Sequence, residues 1–114
     1  MKARRSFENP LDCPVVRTMN IIGGRWKPII LYCLMGGRLR FGKLAAYIPS
    51  ISRKVLTEQL KELEAAGLIR RDEYDEVPPR VEYALTPLGK SLIPVINAMC
   101  HWGQHEGRKV RQPV

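Results

Sequence analysis

The chain has 114 residues, 45% of them hydrophobic, which is enough for one modest core and leaves no room for a separate catalytic domain. Nineteen lysines and arginines stand against eleven acids, a net charge of +8, and a surplus of that size favours a polyanionic partner, either nucleic acid or an anionic membrane surface. Membrane crossing is excluded for the apolar run 29–35, which is far short of the ~20 residues a spanning helix needs.

In chain order, residues 1–11 and 107–114 are rich in Lys, Arg and Pro and are expected as loose basic arms around one domain, 12–106. Asp12-Cys13-Pro14 opens a first helix, with Asp12 as its cap and Pro in the first turn, where a missing N–H costs nothing. That helix runs through Met19 to Ile22 and stops at Gly23-Gly24. A second helix spans about Trp26 to Met35 and ends at Gly36-Gly37. A short strand is expected over Leu39 to Phe41. Phe41, Leu44, Ala45 and Ile48 then recur at helical spacing, up to Pro49. Ser52 begins the clearest helix, SRKVLTEQLKELEAAGL, which closes at Gly67. Two strands follow, Leu68 to Tyr74 and Arg80 to Leu85, separated by Asp75-Glu76-Val77-Pro78-Pro79. Thr86-Pro87 caps a last helix carrying Leu88, Leu92, Val95, Ile96, Met99 and Trp102, with a bend expected at Pro94.

The expected fold class is mainly α with a small β-hairpin: a winged helix-turn-helix, the hairpin following the helix pair as its wing. Placed at ~100° per residue, Leu56, Leu60 and Leu63 of the Ser52 helix fall within ~60° of arc and form its buried stripe. Lys54, Thr57, Glu58 and Lys61 lie opposite, with Arg53 on the flank. Bases at a helix N-terminus suit insertion into the major groove, where the dipole favours phosphate and Arg or Lys can read guanine edges. The competing reading is an ordinary solvated helix with a Lys54–Glu58 pair. Arg70-Arg71 in the first strand, and Arg80 placed at the wing tip, weigh towards DNA. The DNA-contacting set expected is Arg40, Lys43, Ser52, Arg53, Lys54, Thr57, Lys61 and Arg80. A winged helix used only for protein–protein contact is the alternative, and it predicts weak DNA binding with little salt dependence.

With these pieces in view the chain resembles the HxlR-type winged-helix regulators, relatives of the MarR family. The matching residues are Cys13-Pro14, GGRWKPIIL from Gly23, RFGKL from Arg40, ISRKVLTEQLKELE from Ile51, VPPRVEYALTPLGKSL from Val77 and HWG from His101. TPLG alone is generic to winged helices, but the set in this order is specific and covers about residues 12–105. The resemblance implies a homodimer built from the first and last helices and a two-fold-related DNA site. The residues expected at that interface are Val15, Val16, Met19, Leu92, Ile96, Met99 and Trp102. It also implies a candidate sensor at Cys13: in some members the cysteine at this position responds to oxidants or electrophiles, whereas most members have no known inducer.

Read from its surroundings, Cys13 sits at a helix start with Arg17 one turn on, where the dipole favours thiolate. The second reading, a small residue that packs there and reacts with nothing, stands beside it. Cys33 lies in the apolar run and reads as core, and Cys100 as packing on the last helix. Three widely spaced cysteines form neither a disulfide framework nor a CxxC pair, so a reducing cytoplasm is expected. His101 and His105 lie four apart with only Glu106 nearby, and no metal or other cofactor is expected. Trp26 and Trp102 read as core or interface anchors. No nucleophile–base pair, phosphate loop or metal constellation marks an enzyme. The residues name no effector.

Overall fold

The computed structural model describes residues 9–111; residues 1–8 of the N-terminal arm and 112–114 of the tail lie outside the described residues. The elements are α1 (Pro14–Ile22), α2 (Lys27–Leu34), β1 (Leu39–Arg40), α3 (Phe41–Tyr47), α4 (Arg53–Ala65), β2 (Ile69–Tyr74), β3 (Arg80–Leu85), α5 (Pro87–Lys90) and α6 (Ile93–His105). The two arms are less loose than expected where they meet the domain: Pro10–Asp12 and Gly107–Lys109 each form a 3-10 turn. The first of these moves the cap of α1. Asp12 closes the turn, and Cys13 takes the N-cap position with no side-chain capping bond.

The core forms where α2, α3 and α4 meet the sheet. Leu56, Leu60 and Leu63 of α4 are buried against Ile30, Leu31 and Leu34 of α2, Leu44 of α3 and Ile69, Tyr83 and Leu85 of the sheet, all in one cluster. The strands are antiparallel in the order β1-β3-β2, with Leu39 opposite Tyr83 and Ile69 opposite Leu85. One sheet face is therefore apolar and packs inward, while Arg40, Asp72 and Glu82, in register with one another, share the outer face.

Two local devices fix the wing relative to α4. Ser52 caps α4, its hydroxyl accepting from the Val55 N–H at 3.1 Å. At the other end Gly67 adopts φ +78°, the left-handed region that favours glycine. Thr86 then ties three segments together. Its N–H donates to the Leu68 carbonyl at 3.0 Å, its hydroxyl donates to the Gly67 carbonyl at 2.6 Å, and the same oxygen accepts from the Gly89 N–H at 3.0 Å. Gly89 is needed because a Cβ there would lie 2.0 Å from the Leu68 carbonyl oxygen.

The last helix departs from expectation. It is two helices, broken at Ser91-Leu92, and Pro94 lies in the first turn of α6 rather than bending its interior. A proline inside a continuous helix would clash with the carbonyl four residues back; stopping the helix and restarting it places Pro94 where no N–H is required. This break also decides which face of α6 packs inward. Ile96 is 3% exposed and belongs to the core, so it is not free to meet a second chain, while Leu92 is half-buried beside it. That corrects one of the seven interface residues expected from the sequence. Val15, Met19, Met99 and Trp102 are exposed as that expectation requires, and Val16 is partly so.

The radius of gyration is 16.7 Å, against about 13 Å for a compact domain of this length. The long axis measures 60 Å. α1 buries only Ile22, and α6 buries only Ile96, so both helices leave apolar surface that no described residue of their own chain covers.

Candidate nucleic-acid interface

The outer face of α4 carries Arg53, Lys54, Thr57, Glu58 and Lys61, all exposed, above the buried leucines. Arg53 is steadied from α3: its guanidinium carbon lies 4.7 Å from the centre of the Phe41 ring. Arg40 and Lys43, from the β1–α3 segment, are exposed as well. Ser52 keeps its hydroxyl hydrogen available while its oxygen caps the helix. The pairing of Lys54 with Glu58, the competing reading of this face, is not formed. Among the described residues Lys43, Arg53, Lys54 and Lys61 take part in no ion pair. The acid of α4 that is engaged is Glu62, which accepts from Lys27 of α2 at 2.5 Å and anchors the helix from its inner edge.

The wing differs. Arg80 opens β3 opposite Tyr74 and does not stand at the tip, which consists of Val77-Pro78-Pro79 with Val77 fully exposed. Its guanidinium lies 4.1 Å over the Tyr74 ring, 3.2 Å from Glu76 and 3.4 Å from Glu82. The Nε of Arg80 is buried and makes only this Coulombic approach to Glu82, not a hydrogen bond. Arg70 pairs with Asp72 at 3.1 Å and Arg71 with Glu73 at 2.6 Å. Between Ile69 and Leu85 three arginines face five acids. The hairpin thus supplies less positive charge than the Arg70-Arg71 pair suggested.

Arg38 was not singled out from the sequence. Its Nη1 meets Asp72 at 3.1 Å, Glu82 at 3.4 Å and the Tyr74 hydroxyl, binding the α2–β1 turn to the outer face of the wing. Only the strand register, which places Asp72 and Glu82 side by side, reveals it. Arg40 approaches the same Glu82 at 3.9 Å.

Away from this surface, Cys13 is half-buried at the start of α1, in a groove with Arg17 and Ile21. Cys33 packs against the core, and burial pushes its thiol pKa up, as expected of a core residue. Cys100 is exposed on α6. The His101 and His105 rings lie 4.3 Å apart between centroids, and among the described residues no three His, Cys, Asp or Glu side chains gather as a metal site. Trp26 is partly buried against the core, with Arg25 over its ring, and Trp102 is exposed. Among the described residues no helix is long and apolar enough to cross a membrane.

A family model of HxlR-like helix-turn-helix proteins matches residues 21–111. An HTH-type transcriptional regulator of Methanothermobacter thermautotrophicus is 50% identical over 95 residues, 83% of this chain and 72% of its own length. The HTH-type transcriptional regulator YybR of Bacillus subtilis is 44% identical over 98 residues, 86% of this chain and 78% of its own. Among solved structures, the redox regulator HypR in its reduced form superposes with a TM-score of 0.78 at 44% identity, covering 81% of this chain and 91% of that one. The reduced transcriptional regulator YodB of B. subtilis gives 0.74 at 35% identity, over 87% and 98%. The fold is the winged helix of these regulators, and the class is not enzymatic. A recognition helix with a leucine footing, a wing pinned at Thr86 and this agreement along the sequence converge on one assignment: the chain belongs to the HxlR-like helix-turn-helix family of transcriptional regulators.

Proposed function

We propose that the protein is a homodimer that reads a two-fold-related DNA site in the cytoplasm, with α4 in the major groove. The observation that carries this reading is the outer face of α4, where Arg53, Lys54 and Lys61 stand exposed and free of carboxylate partners among the described residues. Lys54 and Thr57 read base edges; Arg40, Lys43, Ser52, Arg53 and Lys61 meet the flanking backbone; Arg80 supports the wing alongside it. The exposed Val15 and Met19 of α1 and Met99 and Trp102 of α6 form the contact between protomers, which sets the two recognition helices about one helical turn, or a multiple of it, apart. Fluorescence anisotropy against specific and random duplexes, together with sedimentation, tests this. Dimers at micromolar concentration, and a salt-dependent preference for one duplex, are expected. A monomer, or weak binding with little salt dependence, would favour a protein-interaction module instead.

Cys13 carries a second reading, oxidant or electrophile sensing. It is partly accessible, it starts a helix that lies at the proposed dimer contact, and the structural neighbours HypR and YodB include a redox regulator solved reduced and oxidised and a protein treated with diamide. Two thiols, Cys13 and Cys100 of the partner subunit, would join with loss of two protons and two electrons, both taken up by diamide. The tilt between protomers would then spoil the match to DNA. Diamide is expected to change DNA binding of the wild type, reversibly with dithiothreitol, and to leave Cys13→Ser unaffected. Equal responses in the two proteins would make Cys13 a packing residue.

A further inference from the structure

A cavity of about 300 Å³ opens between the Gly36-Gly37 turn, the outer face of the sheet and the joint between α5 and α6. Met35 and Ile93 contribute apolar wall, and Arg38, Arg70 and Lys90 contribute cations, with no acid among the described lining residues. The cations are oriented rather than used up. Arg38 meets its three partners through Nη1 alone, Arg70 meets Asp72 through Nε alone, and Lys90 has no ion-pair partner among the described residues. Asp72 bridges the two guanidinium groups, and the hydrogen bond from Arg70 first, then the charge of Arg38, holds its carboxyl pKa below the usual range. Fixed donors with unspent N–H groups, beside an apolar wall, suit a ligand that is both anionic and partly hydrocarbon.

We infer that this cavity binds a small organic carboxylate, and that its occupancy sets the angle between α6 and the DNA-reading unit. The carboxylate accepts from Arg70 and Lys90, and its hydrocarbon part lies on Met35 and Ile93. The site lies where three segments meet: the α2–β1 turn, the wing and the break at Ser91-Leu92 where α6 departs. A ligand that favours one angle of α6 favours one spacing of the recognition helices in a dimer. The coupling to DNA rests on the regulator reading above; the binding does not.

Hexanoate is the probe, with hexan-1-ol and inorganic phosphate as controls that keep only the tail or only the charge. The readout is the Gly37 amide shift of the full chain at constant ionic strength. A saturable hexanoate shift is expected, about tenfold weaker in Lys90→Gln and in Arg70→Gln, and about tenfold stronger than either control. A shift unchanged in Lys90→Gln, no saturable shift at all, or phosphate as effective as hexanoate would overturn the site. In a parallel arm, saturating hexanoate is expected to alter DNA affinity in the wild type, and about tenfold more hexanoate is expected to be needed for the same change in Lys90→Gln. Unaltered affinity at saturation would overturn the coupling. A protein that binds no DNA would refute the regulator reading, while the Gly37 titration would still decide the cavity.

Discussion

Two basic regions of the molecule handle their charge in opposite ways. On α4 and the segment before it, Lys43, Arg53, Lys54 and Lys61 project from a helix pair whose inner side is buried, and no carboxylate among the described residues meets them. On the wing, Arg70, Arg71 and Arg80 each sit beside an acid within 3.2 Å. A phosphate approaching α4 displaces only mobile counterions, whose release favours binding. A phosphate approaching the wing must displace a carboxylate that stays in place and repels it. Net charge alone does not distinguish these cases; pairing does. If the protein reads DNA as proposed, this difference makes the helix the source of affinity and the wing a flank.

The largest expected effect comes from removing the footing of the helix. Leu56 is fully buried, and Leu56→Ala should cost about 2–5 kcal/mol of folding stability, a large part of the ~5–15 kcal/mol typical of a domain. Urea denaturation measures it, and DNA binding should fall only as far as the folded fraction does. Next come the reading residues. Lys54→Ala and Thr57→Ala should each cost ~1–3 kcal/mol of specific affinity and relax preference at one base position, with little change in stability. Unchanged affinity in both variants would remove α4 from the groove. Smaller still is Arg80→Ala, which should make the slope of log affinity against log salt shallower by less than about one unit, because Glu76 and Glu82 already offset its charge. Adding Glu82→Gln should restore part of the loss. A change of a full unit in the single variant would show the wing arginine giving its whole charge to phosphate, and the contrast with α4 would disappear.

The α4 face was legible from the sequence because one helix obeys one period: the leucines at 56, 60 and 63 fix what faces outward without reference to any other element. The hairpin was legible from the break at Asp75 to Pro79 between two strands, the first of which starts at Ile69, one residue later than expected. What escaped was whatever depends on two elements meeting. Whether Arg80 stands at a tip or below it follows from its pairing with Tyr74, and the role of Arg38 follows from acids 34 and 44 residues away. Ile96 looked like interface because its helical neighbours Met99 and Trp102 are apolar too; the break before Pro94 rotates it onto the protomer's own core. Periodicity identifies an apolar face but does not say which chain covers it.

The smallest effect is also the most selective between the two regions. Arg70 first, and then Arg38, hold the Asp72 carboxyl pKa below its ordinary value. A group whose folded pKa lies below its unfolded value, here about 3.9, binds fewer protons folded than unfolded near that pH. Its stabilising contribution is therefore complete well above about pH 4 and is lost as pH falls through the folded value. Asp72→Asn removes the charge and should be the less stable protein at pH 7. The gap to the wild type should close as pH falls from about 5 towards 3. On α4, Lys54 has no carboxylate partner among the described residues to be protonated, so the stability gap between wild type and Lys54→Ala should stay level over the same range. Urea denaturation of the three proteins at each pH makes the measurement. An Asp72→Asn gap that stays level as well would mean that Asp72 acts through shape rather than charge, and the wing would no longer differ from α4 in how its arginines are held.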